Sequence, residues 1–382
     1  VLDETHQQLE AQSAWKIAAA ENVGDLSAVA FYFAKRLAQK MDCVIGIVDC
    51  YWGGTSIACW MSESMMQSVA AGQKQLADYK AEVGAKTPEQ YAAEMREYEA
   101  DYQKWQANID ACRAENPNVT WKELHERCGE CPWPQPTGWQ SPFCPNNLHR
   151  TMMQRVAPYT LRGFLYYQGE EDDKKPRSYY NLLSRLIRQW REDWHDDKLP
   201  FMIVQLPMFS NVGEENLTNW PLIREAQHRV YRTVKNTGLA VVLDKGEYSN
   251  IHPIDKQPVG ERLALQAMYH AYGLDNEVRA FGPFYQSCYT LQSYIWLIFN
   301  HVRDGIICTG EKPLGFEVAG QDKVFYPADS VQIQGNRVRL FSANVKEPVY
   351  ARYNWRNYAE VNMFGKNGLP MAPFRTSMND EQ

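Results

Sequence analysis

No apolar run in this sequence approaches the length of about 20 residues that a membrane-spanning helix needs. There is no excess of positive charge either. Lys and Arg number 40 against 46 Asp and Glu, a net charge of −6. Neither nucleic acid nor an anionic membrane surface is therefore indicated as a partner. Internal repeats and low-complexity tracts are absent, which excludes solenoid and fibrous architectures. The nine cysteines follow no common zinc spacing closely, and an odd number cannot all pair within one chain. Cys43, Cys50 and Cys59 sit in or beside apolar segments and read as buried free thiols. Cys128-Gly129-Glu130-Cys131, flanked by Cys112 and Cys144, leaves a zinc knuckle or two disulfides open. The site assignment includes no metal, and no cofactor is expected. The chain starts at Val1 without Met or a signal-peptide pattern, so an internal start is expected.

What is present is an ordinary globular composition, 45% hydrophobic and 23% charged over 382 residues, long enough for two domains. The most informative stretch is Gly163-Phe164-Leu165-Tyr166-Tyr167-Gln168-Gly169-Glu170-Glu171-Asp172-Asp173. Its apolar and aromatic start suits a strand buried on both faces. It then sets an amide and a carboxylate at the carboxyl edge of a sheet, where open α/β folds bind ligands. Upstream, Ser27 caps a helix from Ala28 that leads into an expected strand, Val44 to Asp49, and then Trp52-Gly53-Gly54-Thr55. Downstream the rhythm continues through helices at about Leu148 to Val156, Tyr179 to Glu192, Pro221 to Val234 and Val259 to Tyr272. Strands are expected at Phe201 to Leu206 and Leu239 to Asp244. Strands separated by helices predict α/β architecture: a parallel sheet covered by helices on both faces, over residues 1–280.

Residues 62–147 interrupt that rhythm. Thr87-Pro88-Glu89-Gln90 has the form of a capped helix start. Tyr91, Met95, Tyr98, Tyr102 and Trp105 then recur at helical spacing, a packing face. Pro and Trp dominate after Cys112, so the segment reads as a helical insertion with an extended return. Residues 281–382 consist of short strand-like runs separated by turns such as Gly335-Asn336, and predict a small all-β, sandwich-like domain. With no Gly/Ser-rich linker before it, that domain is expected to pack against the rest of the chain.

Three polar loops follow expected strands: Gly53-Gly54, Gln168-Gly169-Glu170 and Ile251-His252-Pro253. Acyl transfer needs such a set: donors for an oxyanion, a general base, and an acid that orients the base. The runs Glu21 to Ala30, Trp52-Gly53-Gly54-Thr55, Tyr167-Gln168-Gly169-Glu170, Arg224-Glu225-Ala226-Gln227, Ile251-His252-Pro253 and Ala372-Pro373-Phe374-Arg375 resemble, in order, those of the sialate O-acetylesterases. These are carbohydrate esterases of the SGNH-hydrolase type, whose core sheet is flavodoxin-like.

The resemblance implies an esterase that removes O-acetyl groups from sialic acid or a related acetylated sugar by serine acyl transfer. His252 would be the general base. Gly53 or Gly54 would lend a backbone N–H to the oxyanion hole, and Gln168 a side-chain donor. Arg224 would bind substrate, and Glu170 would partner the histidine. Relatives often carry an Asp two residues before that histidine. Here Asn250 stands there, which strengthens the claim of Glu170 and leaves Asp244 and Glu247 open. The family's Gly-Gln-Ser-Asn nucleophile run is absent from this sequence, and Ser13 lies in the wrong place for it. The serine is expected upstream. The same absence, with Asn250, motivates an alternative: an inactive relative that binds carbohydrate. Esterases of this kind act on exported glycans, so a periplasmic or secreted location is expected.

Overall fold

The computed structural model describes residues 14–139, 141–211, 213 and 219–377. Ser13 lies outside them. The described residues fall into two compact units. The first runs up to Arg162 and adds Gln168–Asp172 and Ser178–Leu199. The second holds Gly163–Tyr167, Asp173–Arg177 and the chain from Pro200 onward.

The first unit is helical, and its helices start where local chemistry satisfies their free N–H groups. Ser27 Oγ accepts from Ala30 N at 3.3 Å and caps Ala28–Ala38. Thr87 and Gln90 form a reciprocal capping box at the head of Pro88–Glu115, at 3.3 and 2.8 Å. Thr120 and Glu123 repeat the device for Trp121–Cys128. Loss of such a cap typically costs about 1 kcal/mol. The aromatic stripe is one face of the long helix: Tyr98, Tyr102 and Trp105 follow one another at ring separations of 6.1 and 5.8 Å.

One expectation fails here. Val44 to Asp49 is not a strand. An apolar run becomes a strand only where a neighbouring strand takes up its N–H and C=O groups. Among the described residues none does, and Val44 stands 96% exposed. Asp49 instead accepts the N–H of Ser27 at 3.1 Å, setting a carboxylate at the start of helix Ala28–Ala38.

The second unit contains the parallel sheet. Its strands β1 (Phe164–Tyr166), β2 (Phe201–Gln205) and β3 (Thr237–Val241) lie in that order, with Phe164 opposite Phe201 and Ile203 opposite Leu239. Helix Asn219–Thr233 connects β2 to β3, and Gln257–His270 follows β3. Each sends a buried amide to the sheet: Gln227 Oε1 accepts from Leu206 N at 2.9 Å, and Gln266 Oε1 from Leu239 N at 3.0 Å. Past His270 the chain turns at Gly273, φ +69°.

The C-terminal strands are antiparallel. The run expected as one strand, Tyr289 to Phe299, is the inner part of a hairpin, β4 (Phe284–Leu291) and β5 (Tyr294–Asn300). Gln292, at φ +56°, makes the reversal that an apolar reading cannot detect. Strands Ser330–Gln334 and Arg337–Phe341 join at Gly335-Asn336, as expected, and complete a four-stranded sheet with β4 and β5. A second sheet of four strands includes Phe316–Ala319 as an inner strand, and a two-stranded ribbon pairs Met363–Gly365 with Ile306–Cys308. These strands share the second unit with the parallel sheet. Arg375 grips Glu225 through two bonds of 2.9 Å, and Phe284 packs on His228 and Tyr231.

Candidate functional site

In the first unit the Gly-Gly turn and the Gln-Gly-Glu segment are tied together. Thr55 closes the turn by donating its hydroxyl to Trp52 O at 2.8 Å and is itself held by Trp60 Nε1 at 2.9 Å. Gln168 donates to Thr55 O at 3.1 Å and to Asp172 Oδ2 at 2.6 Å. Asp172 Oδ2 also accepts from Ile57 N at 2.8 Å. Behind them the fully buried Tyr179 donates from its hydroxyl towards both Gln168 O and Gln168 Oε1, each at 2.9 Å. Gln168 is buried and its two amide hydrogens are engaged, so every partner removed would leave a buried polar group unmet.

Gly53 and Gly54 are exposed at the tip of that turn. Gly54 sits at φ +67°, and a Cβ there would come within 2.6 Å of the Trp133 ring. Trp133 is fixed in turn by Nε1 donating to Glu171 Oε2 at 2.9 Å and by an edge contact with Phe143. Glu170 opens the short helical turn Glu170–Asp172 and is half-buried.

In the second unit His252 lies in the loop after β3. Ser249, at φ +60°, turns the chain, and its N–H donates to Ser210 O at 3.0 Å. Asn250 is buried: its Oδ1 accepts from His252 N at 3.0 Å, and its Nδ2 donates to Glu247 Oε2 at 2.7 Å. Glu247 Oε1 takes Ile254 N at 2.7 Å, so one carboxylate closes the loop from both sides. Asp244 is held by Arg262 at 2.5 and 2.8 Å. The imidazole of His252 reaches solvent. Even so, the atoms crowded round it hold its pKa below the ordinary imidazole value, and Lys256 adds repulsion. Lys256 itself lies over the ring of Tyr167, 5.5 Å from its centroid.

Arg224 is not at the surface. It is 0% exposed, with donors turned to Pro207 O, Met208 Sδ and Arg356 O. Burial lowers its pKa to about 9. This corrects the expected substrate contact: the guanidinium is spent on carbonyls of its own unit. Sequence reasoning missed Thr55, Asp172, Tyr179 and Trp133. Asp172 was visible only as part of an acidic run, and Trp133 only as one of many aromatics.

Residues 136–268 match the family described as "Carbohydrate esterase, sialic acid-specific acetylesterase". The sialate O-acetylesterase of Mus musculus is 28% identical over 288 residues, covering 70% of this chain and 48% of that protein. The Homo sapiens enzyme of the same name is 26% identical, covering 69% of this chain and 43% of its own. The chain thus spans about half the length of the curated relatives it matches. A solved carbohydrate acetylesterase from Xanthomonas citri aligns with a TM-score of 0.71 at 28% identity, over 95% of this chain and 68% of that one. By these matches residues 136–268 resemble the sialic acid-specific acetylesterases, and the chain as a whole is similar to carbohydrate acetylesterases.

Proposed function

We propose that this chain forms most of the catalytic part of a carbohydrate esterase that releases acetate from O-acetylated sugars, sialic acid foremost. The chemistry is serine acyl transfer. The serine comes from sequence outside these 382 residues, since no Gly-Gln-Ser-Asn run occurs within them. His252 takes the serine proton and returns it to the sugar hydroxyl as that leaves. The acetyl oxyanion forms against the backbone N–H groups of Gly53 and Gly54. Gln168, with both amide hydrogens spent, holds that turn in place instead of meeting the oxyanion directly. Glu170 is the acid that orients His252, because Asp244 is committed to Arg262 and Glu247 to its own loop. The sheet is the core of an SGNH-type fold, residues 62–147 are an insertion into it, and the enzyme works in the periplasm or outside the cell.

The observation that carries this reading is the Gly-Gly turn, bolted to the Gln-Gly-Glu segment through Thr55, Gln168, Asp172 and Ile57. A polar framework this fully satisfied is what a preorganised oxyanion site needs. The test is acetate release from an aryl acetate and from O-acetylated sialic acid by the protein with its upstream sequence restored. Turnover that His252→Ala abolishes is expected. Turnover that survives His252→Ala would refute the assignment, and none at all would favour the carbohydrate-binding alternative.

A further inference from the structure

Cys112 lies near the end of helix Pro88–Glu115, and Cys128 is the last residue of helix Trp121–Cys128. Their Sγ atoms are 3.3 Å apart. They belong to the small core of this two-helix arm, where Ile109, Cys112 and Leu124 are buried and Trp105 and Trp121 pack against them. The other cysteines nearest in sequence turn elsewhere. Cys144 faces Tyr79 Oη at 3.1 Å and Gly138 O at 2.7 Å, while Cys131 faces Pro132 O. A core of so few residues gives a helical hairpin little stability of its own, the situation in which a covalent staple contributes most.

We propose that Cys112 and Cys128 form a reversible disulfide that closes this arm in an oxidising environment. The oxidant is a small-molecule disulfide. One protein thiol gives its proton to water, and its thiolate attacks the reagent, releasing one reagent thiolate and leaving a mixed disulfide. The second protein thiol loses its proton and attacks the protein-bound sulfur. The Sγ–Sγ bond forms and the second reagent thiolate leaves. Two protein thiols are oxidised, and one reagent disulfide is reduced to two thiols. Bringing the sulfurs from 3.3 Å to a bond length of about 2.0 Å requires only a small approach of the two helix ends.

The experiment equilibrates the full chain with oxidised glutathione, alkylates the remaining thiols, digests it and weighs the peptides. A linked pair containing Cys112 and Cys128, lighter by two hydrogens than the free peptides, is expected, together with slower proteolysis of residues 88–128 than in reduced protein. Cys112→Ser should leave Cys128 as a glutathione adduct. Alkylation of both residues in the oxidised wild-type chain, or a link from Cys128 to Cys131, would overturn the proposal. Because the readout is mass and proteolysis, it does not depend on whether the protein is an esterase.

Discussion

At the scale of single residues, the surroundings of His252 set its titration. Crowding and Lys256 both favour the neutral ring, so the form able to accept a proton persists below the pH at which a free imidazole becomes charged. In the full-length protein the acid limb of kcat/KM should therefore lie below that of an ordinary histidine. Lys256→Gln removes the repulsive part, so the pKa rises and the limb moves to higher pH, by less than crowding alone displaces it. An unmoved limb in a pH–rate profile would mean another group is titrating. For the acid partner, Glu170→Gln should lower kcat by on the order of a hundredfold. Asn250→Ala, which removes a loop bond and no charge, should cost far less. The reverse order in steady-state kinetics would move the acid's role away from Glu170.

The Gly-Gly turn behaves as an element with two unequal positions. Gly54 needs its positive φ and faces Trp133, whereas nothing lies within 4 Å of a Cβ on Gly53. Gly54→Ala must displace the indole or flip the turn, so acetate release should fall at least tenfold with little change in thermal midpoint. Gly53→Ala should remain close to wild type in both measurements, and equal losses in the two variants would show that Trp133 does not shape the turn. The capped helices were readable because Ser27, Thr87-Pro88 and Gln90 act on neighbours three residues away. The apolar run Val44 to Val48 was misread because a strand requires a partner that local sequence does not specify.

At the scale of the whole molecule, the second unit joins the parallel sheet to the C-terminal strands through buried contacts. Phe284, 4% exposed, packs among His228, Tyr231, Phe281 and His301. Phe284→Ala should cost about 3–4 kcal/mol in denaturant unfolding, the usual loss for a buried phenylalanine. It should shift one cooperative transition of this unit. A separate, unshifted transition for the parallel-sheet part would show that residues 281–382 fold on their own. Mild proteolysis near residue 280 should likewise release no stable fragment, given the Arg375–Glu225 pair that spans the join.

Motifs and local periodicity carried the α/β class, the β-rich tail and the likeness to the acetylesterases, and they nominate Gly53, Gly54, Gln168, Glu170 and His252 as candidates. Each of these depends on residue type, short spacing or order along the chain. The roles of Gln168 and Arg224 could not be read that way. Whether an amide aims at a ligand or at Thr55 O and Asp172 is settled by atoms more than a hundred residues apart for Thr55 and four apart for Asp172. Whether a guanidinium meets solvent or is sealed against Pro207 and Arg356 depends on which distant segments close over it. Burial is a property of packed surfaces, and a linear pattern records which side chains are polar but not which of them the fold will enclose.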